Sequence, residues 1–503
     1  MTVTEAIQKM DAYEEAIYAL NHACSVLYTD GATAAPKESW KGRGKTLGYL
    51  SGQMYKLTVT EENEEVFRTI LEHRDECDEK IARRAELNKE TYDDMHRVPL
   101  DEYVAYEELL NEADAVWHEA KLKSDYAMFA PYLEKMIAWQ KKIAKLKDPE
   151  KPVYDVLLDM YEKGVGTAQL DQFFATLREE LLPVIAKVAA AHQPDTAFLK
   201  KLYPVEGQKK LSERVMEMEG IPFDRVTLGE TEHPFTSGVN KWDERITTHY
   251  HEDDVMSSLF SVIHEGGHAL YDIGSDDDLQ FTCLAGGVSM GVHESQSRFY
   301  ENLICRSLPF CKALLPVMRE IFPEQMKGVD ADMMYAAINA SSPSLIRTEA
   351  DELTYPIHVM IRYEIEKKIF ADEVTVDELP ALWNRLYKEY LGVDVPDDRH
   401  GILQDSHWSG GSFGYFPSYA LGSAYGVQML EKMEKDIDVW GAAENGDLRP
   451  VTAWLHERIH RFGSLKKPQE VLMNAMGEPL DAKKYTAYLK NKYAKIYPGI
   501  TEA

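Results

Sequence analysis

The chain has 503 residues, 44% of them hydrophobic and 28% charged, and its formal net charge at pH 7 is −29. These proportions are those of a globular protein and exclude a disordered or fibrous chain. The length exceeds that of one ordinary hydrophobic core, so two subdomains or one elongated helical body both fit it. Nucleic acid and anionic membrane surfaces are disfavoured as partners, because phosphate binding requires clustered Lys and Arg.

The cysteines and the N-terminal residues predict a cytoplasmic protein. The five cysteines are odd in number, irregularly spaced and without a CxxC pair, which argues against a disulfide framework. The N-terminus, MTVTEAIQKMDAYEEAIYAL, is acidic where a secretory signal needs a basic start and an unbroken apolar stretch. No apolar run approaches the roughly 20 residues of a membrane span.

Hydrophobic periodicity predicts a mainly α-helical protein. Residues 1–220 have the pattern of amphipathic helices, interrupted by the breaker DPEKP at 148–152. Residues 221–251 instead alternate β-branched or aromatic side chains with polar ones, which predicts two or three short antiparallel strands. Helices then continue to the end, apart from a Gly-rich and aromatic break at 409–426. We expect a single domain, 1–503, with a helical N-terminal part (1–220), a part containing the small sheet (221–426) and C-terminal helices (427–503).

A metal-binding motif lies in the helix predicted directly after the strands. Residues 264–268 are HEGGH, an HExxH sequence, within an apolar helix that an aspartate at 253 or 254 can begin. Four residues correspond to about 400° of helical rotation, so His264 and His268 project from one face and can bind one Zn²⁺. Glu265, beside the first ligand, can accept a proton from water. The alternative, a chance match of two core histidines and a solvated glutamate, is disfavoured by the apolar, capped helix.

The two glycines of this motif weaken a helix by about 1 kcal/mol each relative to Ala. Their alternative interpretation is close approach by another backbone. Zinc in a catalytic site also requires a third protein ligand and an open position. Residues 291–308 predict a second helix that carries Glu294 and can pack against the first, but periodicity does not choose between Glu294 and Glu301. Spacing alone nominates these downstream carboxylates: Asp272, Asp276, Asp277, Asp278, Glu294 and Glu301.

Several separated motifs occur together along the chain. In order they are HPF at 233–235, DERIT at 243–247, HEGGH at 264–268, HESQ at 293–296, IRTEAD at 346–351 and GILQDSHW at 401–408. This set resembles the motifs of the thermostable, Taq-type zinc carboxypeptidase family, whose members carry HExxH. The resemblance implies a saddle-shaped, mainly helical zincin-like fold with a deep groove and a small antiparallel sheet next to the HExxH helix, assembled as a homodimer.

The resemblance also implies a reaction and a ligand set. Glu294, in the HES motif, becomes the third zinc ligand, and Co²⁺ is a substitute for Zn²⁺. The implied substrates are peptides with a free C-terminal carboxylate, from which single amino acids are removed. The six motifs show no departure from the family pattern; in helical zinc peptidases more broadly, however, an Asp often follows the glutamate ligand by four positions. Here that position is Arg298, so the carboxylate that orients the histidines has no candidate.

An enzyme that acts at peptide C-termini must recognise a carboxylate, and Arg does so with two parallel hydrogen bonds. Arg347 in IRTEAD is the first candidate. Its alternative role is a structural ion pair with Glu349, Asp351 or a distant acid. Arg245 in DERIT is the second candidate, although strand alternation places it on one face with Asp243 and Thr247, where a structural network is equally expected.

A tetrahedral intermediate needs hydrogen-bond donors besides the metal. His407 and Tyr415 are the candidates, because helical zinc peptidases use a His and a Tyr from a comparable segment, and Tyr419 is the substitute for Tyr415. The alternative interpretation treats the glycines there as loop residues and the tyrosines as packing residues. His233 is a further candidate for the groove, or a structural histidine at a strand end. Asp405 and Trp408 are expected to support the site rather than take part in chemistry.

Two other functions fit the same metal motif. The nearest is a helical zinc oligoendopeptidase or dipeptidyl carboxypeptidase, which shares the metal chemistry and differs in its substrate anchor. The other is an inactive scaffold that keeps zinc for its structure. Glu265 argues against the scaffold, because a structural site needs only ligands and normally fills four positions with protein.

Overall fold

A computed structural model describes residues 1–500, apart from the side chain of Lys37. The predicted class is confirmed, since helices make up most of the described chain and one small sheet interrupts them. Within the described residues, no helix is both long enough and apolar enough to cross a membrane.

The helices that precede the sheet are α1 (Val3–Thr33), α2 (Trp40–Thr58), α3 (Glu61–Glu72), α4 (Glu79–His96), α5 (Leu100–Lys123), α6 (Tyr126–Lys147), α7 (Val153–Asp159), α8 (Thr167–Ala190) and α9 (Val205–Glu219). The predicted breaker at 148–152 does separate two of them, α6 and α7. The strands are β1 (Val226–Glu230), β2 (Thr236–Asn240) and β3 (Asp243–Thr248).

After the sheet come α10 (Val255–Asp272), α11 (Met290–Arg298), α12 (Leu308–Ile321), α13 (Ala331–Ile338), α14 (Tyr355–Phe370), α15 (Leu379–Leu391), α16 (Pro417–Asp436), α17 (Val439–Asn445), α18 (Arg449–Arg458), α19 (Pro468–Met476) and α20 (Ala482–Ile496). The break predicted at 409–426 is too long, because α16 begins at Pro417. Pro is favourable in the first turn of a helix, so aromatic and glycine content alone misplaced this boundary.

The sheet has the strand order β1-β3-β2. Strand β2 runs antiparallel to β3, as predicted, with Thr236 opposite Ile246. Strand β1 runs parallel to β3, with Val226 opposite Glu244, so the prediction of a purely antiparallel sheet was wrong. Alternation of side chains along a strand is the same in both directions, and the sequence pattern therefore carries no information on strand polarity.

Helix α10 begins where the sequence predicts, because the Asp254 side chain accepts a hydrogen bond from the backbone N–H of Ser257. A Cβ on Gly267 would lie 2.8 Å from the backbone oxygen of Gln296 and from Cα of Ser297. On α16, a Cβ on Gly422 would lie 2.9 Å from Cβ of Glu294. The alternative interpretation of the motif glycines, close approach by another backbone, therefore holds at Gly267. The absent side chains let α10, α11 and α16 approach closely, which brings the two metal-binding motifs together.

Candidate metal centre

Two helices bring three potential metal donors together. His264 and His268 lie one turn apart on α10, and Glu294 lies on α11. One ligand atom from each lies within 4.8 Å of the others. Oε2 of Glu294 is 3.8 Å from Nε2 of His264 and 3.5 Å from Nε2 of His268. Two imidazole nitrogens and one carboxylate oxygen are the donor set of many catalytic zinc sites, so these residues fit a divalent metal ion.

The ring nitrogens that face away from this centre have partners of their own. Nδ1 of His264 donates a hydrogen bond of 2.9 Å to Oε2 of Glu301. Nδ1 of His268 lies 2.6 Å from Nδ1 of His293, whose Nε2 donates to the carboxylate of Asp272 at 3.1 Å. Such partners fix the tautomer and the orientation of a metal-binding histidine. Both Nε2 atoms are therefore left to face Glu294.

Arg298 links the acidic groups of the centre. Its Nε donates to Oε1 of Glu294 at 2.8 Å and its Nη1 to Oε2 of Glu301 at 3.3 Å. Burial alone would raise the pKa of Glu301, but the charge of Arg298 and the hydrogen bond from His264 outweigh it and lower the pKa to about 2. The pKa of Glu294 falls well below its ordinary range in spite of burial, with Arg298 again the largest favourable influence. Both carboxyls are therefore ionised at neutral pH.

Glu265 is held on the same side of α10 by the sheet. It is buried, with 7% relative exposure. Oγ1 of Thr236, in the edge strand β2, donates to Oε2 of Glu265 at 2.6 Å. One carboxylate oxygen thus has a fixed partner, and the other has no recorded partner among the described residues. A carboxylate oriented in this way beside two candidate metal ligands can accept a proton from water.

His407, Tyr415 and Tyr419 form an aromatic wall beside the donors. Nε2 of His407 lies 3.0 Å from the Tyr419 hydroxyl, and the rings of Tyr415 and Tyr419 meet edge to face at 5.0 Å. Burial, followed by the negative charge of Glu294, raises the pKa of Tyr415, so its hydroxyl keeps its proton. Burial lowers the pKa of His407 to about 3, and the ring is neutral. The structure therefore brings together these three sequence candidates as neutral hydrogen-bonding groups.

Arg347 lies next to this wall and pairs with Asp405. Its Nε and Nη2 donate to the Asp405 carboxylate, the shortest of these bonds being 2.8 Å, and its Nη1 donates to the Tyr355 hydroxyl at 3.0 Å. The guanidinium carbon is 5.0 Å from the Tyr419 ring. The distant acid considered in the sequence is thus Asp405, 58 residues away, and it fixes the orientation of the guanidinium.

Other sequence candidates form no hydrogen bond with these donors within the described part of the chain. Arg245 forms a two-pronged pair with Asp243 on the surface of the sheet, and its side chain is 31% exposed. His233 is exposed in the irregular segment before β2. The aspartates at 276–278 form ion pairs with Arg461, Lys241 and Lys80, respectively.

Sequence reasoning missed the roles of several residues around the donors. Asp272 follows His268 by four positions and Glu301 follows Glu294 by seven, and both spacings place the pairs on one helical face. Their observed partners, His293 and His264, each lie on the other helix, and no spacing within one helix indicates those pairs. Thr236 and Tyr355 had no signal, because their contacts come from packing between distant segments.

Glu162 positions the beginning of α11. This carboxyl is 3% exposed and accepts hydrogen bonds from the backbone N–H of Gly291 at 3.0 Å and from the Tyr425 hydroxyl at 3.4 Å. A Cβ on Gly291 would lie 2.5 Å from Oε2 of Glu162, which leaves no space for another residue there. Burial raises the pKa of Glu162 from 4.5 to about 7.

The raised pKa of Glu162 predicts a stability that falls with pH. The Glu162 carboxyl is harder to ionise in the folded chain than in the unfolded chain. Its contribution to the free energy of unfolding is therefore complete below pH 4.5 and is lost as the pH rises towards 7. Glu162→Gln removes this loss, so its stability relative to wild type should be greater at pH 8 than at pH 4 by up to about 3 kcal/mol. Urea unfolding of the metal-free proteins measures the difference. Glu150→Gln, at an exposed position, is the control, and an equal pH effect in both variants would contradict this role for Glu162.

Comparison with known proteins places this geometry among metallopeptidases. The family profile described as carboxypeptidase Taq (M32) metallopeptidase matches residues 9–493. Carboxypeptidase 1 of Bacillus subtilis (strain 168) is 41% identical over 495 residues, covering 98% of this chain and 97% of that protein. Thermostable carboxypeptidase 1 of Pyrococcus furiosus is 34% identical, with 97% and 98% covered. The crystal structure of an M32 carboxypeptidase from Deinococcus radiodurans R1 superposes with a TM-score of 0.95 at 32% identity, covering 98% of this chain and 99% of that one.

Proposed function

This chain belongs to the carboxypeptidase Taq (M32) family of metallopeptidases and is a metallocarboxypeptidase; from this premise we propose that it uses zinc to remove single amino acids from free peptide C-termini. The observation that carries the proposal is the convergence of three ligand atoms from His264, His268 and Glu294. Glu265 lies beside them in the position of a general base.

His264, His268 and Glu294 would hold the ion. Zinc bound there supplies Lewis-acid chemistry, because it activates water and polarises a carbonyl group. The hydrogen bonds of Glu301 and His293 keep both Nε2 atoms directed to the centre. These contacts reduce the reorganisation that metal binding requires.

Glu265 is the proposed general base. Thr236 fixes one of its oxygens, and the other accepts a proton from the attacking water and passes it to the departing amine. Tyr415 is the proposed donor to the oxyanion, since its hydroxyl stays protonated and lies in the field of Glu294. Neutral His407 holds the neighbouring Tyr419 hydroxyl at 3.0 Å, which supports Tyr419 as the substitute donor.

Arg347 is the proposed anchor for the terminal carboxylate. Its pair with Asp405 fixes the plane of the guanidinium before substrate binds, which lowers the entropic cost of recognition. The N–H group that now donates to Tyr355 can be redirected to a substrate oxygen. A fixed carboxylate anchor determines which peptide bond lies over the metal donors.

Arg347→Gln should therefore impair the reaction of substrates that have a free C-terminal carboxylate. We expect kcat/KM for a peptide acid to fall by about 10- to 100-fold, because a charge-assisted hydrogen bond contributes about 1.5–3 kcal/mol. The slow rate on the matching peptide amide should change little. Arg245→Gln is the matched control. Equal losses on acid and amide would assign Arg347 a structural role, and a loss specific to the acid in Arg245→Gln would make Arg245 the anchor.

The first test of the proposed function uses an N-terminally blocked peptide as the free acid and as the C-terminal amide, with and without chelator. The expected result is stepwise release of single residues from the free acid but not from the amide, and only when metal is present. Release of dipeptides or internal fragments would instead favour the oligoendopeptidase or dipeptidyl carboxypeptidase. Bound zinc without any cleavage would favour the inactive scaffold.

Further properties follow the family resemblance. We propose that Co²⁺ can substitute for Zn²⁺, since the donor set of two nitrogens and one oxygen suits either ion. A homodimer and a cytoplasmic location are likewise proposals. The location is supported by the five cysteines, all within the described residues and none in a disulfide.

A further inference from the structure

The carboxyl group of Glu244 is buried without a partner behind the metal centre. Glu244 lies in β3 with 0% relative exposure, and neither of its oxygens has a hydrogen-bond partner among the described residues. An ionised carboxylate in such surroundings loses several kcal/mol of solvation without compensation. The group is therefore neutral, and a neutral carboxyl carries an O–H that needs an acceptor.

Asp272, the last residue of α10, is the candidate acceptor. A Cβ built on Gly238 of β2 would lie 3.2 Å from Oε2 of Glu244 and 3.7 Å from Oδ2 of Asp272, so the two carboxyls border the same space. Burial, and then the negative charges of Asp272 and Asp243, raise the pKa of Glu244 well above its ordinary range. A carboxyl that is buried beside other negative charges keeps its proton in this way.

Asp272 connects this pair to the metal donors. Its two oxygens accept from Nε2 of His293 at 3.1 and 3.2 Å. Since Nε2 of His293 carries the proton, its Nδ1 is the acceptor in the neutral ring, and it lies 2.6 Å from Nδ1 of His268. Hydrogen bonds therefore connect Asp272, beside Glu244, to a proposed zinc ligand.

We propose that Glu244 is a positioning residue of the metal centre, whose protonated carboxyl donates a hydrogen bond to Asp272. Asp272 is thereby held where it orients the His293 ring, and His293 in turn orients His268. Strand β3 thus contributes to the geometry of the ligands although it carries none of them. The inference rests on the metal site of the proposed function.

The test measures the Zn²⁺ affinity of full-length metal-free protein by competition with a chromogenic chelator. Glu244→Leu removes the donor. The zinc affinity should then fall by about 10- to 100-fold, which is the usual loss when a residue that orients a metal ligand is substituted. Glu244→Gln keeps an N–H donor and should stay within about threefold of wild type. The melting temperature of Glu244→Leu should be unchanged or higher, because an apolar side chain of similar size replaces a fully buried polar group. Weaker zinc binding without lost stability is not expected from a purely structural residue.

Ile246→Ala is the control for packing. Ile246 lies on the same strand and is fully buried, so its truncation should lower the melting temperature and leave the zinc affinity within about threefold of wild type. The proposal is overturned if Glu244→Leu binds zinc as tightly as wild type, or if Glu244→Gln is equally weakened.

Asp272→Asn gives an independent measurement if Glu244→Leu does not fold. It alters the acceptor, so the affinity should fall by a similar factor. Wild-type zinc affinity in Asp272→Asn would overturn the proposal. Wild-type protein that binds no zinc would overturn the proposed function itself, and this failure is distinguishable because it appears before any variant is compared.

Discussion

Replacing Glu265 by Gln should lower kcat by about 10²- to 10⁴-fold while the protein still binds zinc. Gln has nearly the shape of Glu but no basic oxygen, so proton acceptance from water is lost. The three proposed ligands are unchanged. Thr236 can still donate to the amide oxygen of the new side chain, as it now does to Oε2 of Glu265 at 2.6 Å. Release of the C-terminal residue from a blocked peptide, with the zinc content determined in parallel, measures both quantities.

Thr236→Val is the matched control for Glu265→Gln. It removes the hydrogen bond that orients the carboxylate but keeps the basic oxygen, so a smaller loss in kcat is expected. A near-normal rate in Glu265→Gln would remove Glu265 as the general base. A loss accompanied by loss of zinc would show that the substitution acted on the ligands instead.

Glu294→Gln should abolish stoichiometric zinc binding and, with it, peptidase activity. An amide oxygen is a weaker ligand than a carboxylate oxygen, and Glu294 is the one anionic donor of the three. We expect the zinc affinity to fall by more than about 100-fold, beyond the loss that residues behind the ligands cause. Chelator competition with the metal-free variant measures the affinity.

Glu301→Gln distinguishes a ligand from its partner. Glu301 accepts from Nδ1 of His264, away from the donor atoms, so its substitution should weaken zinc binding by only about 10- to 100-fold. Activity should return in this variant when zinc is added in excess. If Glu301→Gln instead lost zinc more completely than Glu294→Gln, the assignment of the two glutamates would have to be exchanged.

The choice between these glutamates shows where sequence reasoning stops. They are seven residues apart, which is close to two full turns of an α-helix, so periodicity places them on one face. The chain adopts a π-helix over Phe299–Ile304, directly after α11, so Glu301 lies outside the regular α-helical spacing that periodicity assumes. In the structure Glu294 faces both Nε2 atoms, whereas Glu301 contacts Nδ1 of His264.

The surroundings of Arg347, the proposed substrate anchor, were less predictable than those of the proposed metal ligands. The motifs nominated Arg347, and a distant acid as its alternative partner, but the partner proved to be Asp405, in another motif. The aromatic wall forms because α16 begins at Pro417, directly after the Gly-rich stretch. The predicted break at 409–426 extended past this boundary. Contacts of this kind depend on how distant segments pack against each other. A local sequence pattern describes neighbouring residues only and does not predict such contacts.

The sequence by itself determined the helical class, the small sheet and the HExxH helix with its cap and its two histidines on one face. These features follow from periods of two and 3.6 residues and from capping, which are properties of neighbouring residues. Only the tertiary structure decided the direction of β1, the partners of His264 and His268, and the acid that pairs with Arg347. Each of these depends on groups brought together from distant parts of the chain, and close packing of α10, α11 and α16 at glycines fixes where the metal donors meet.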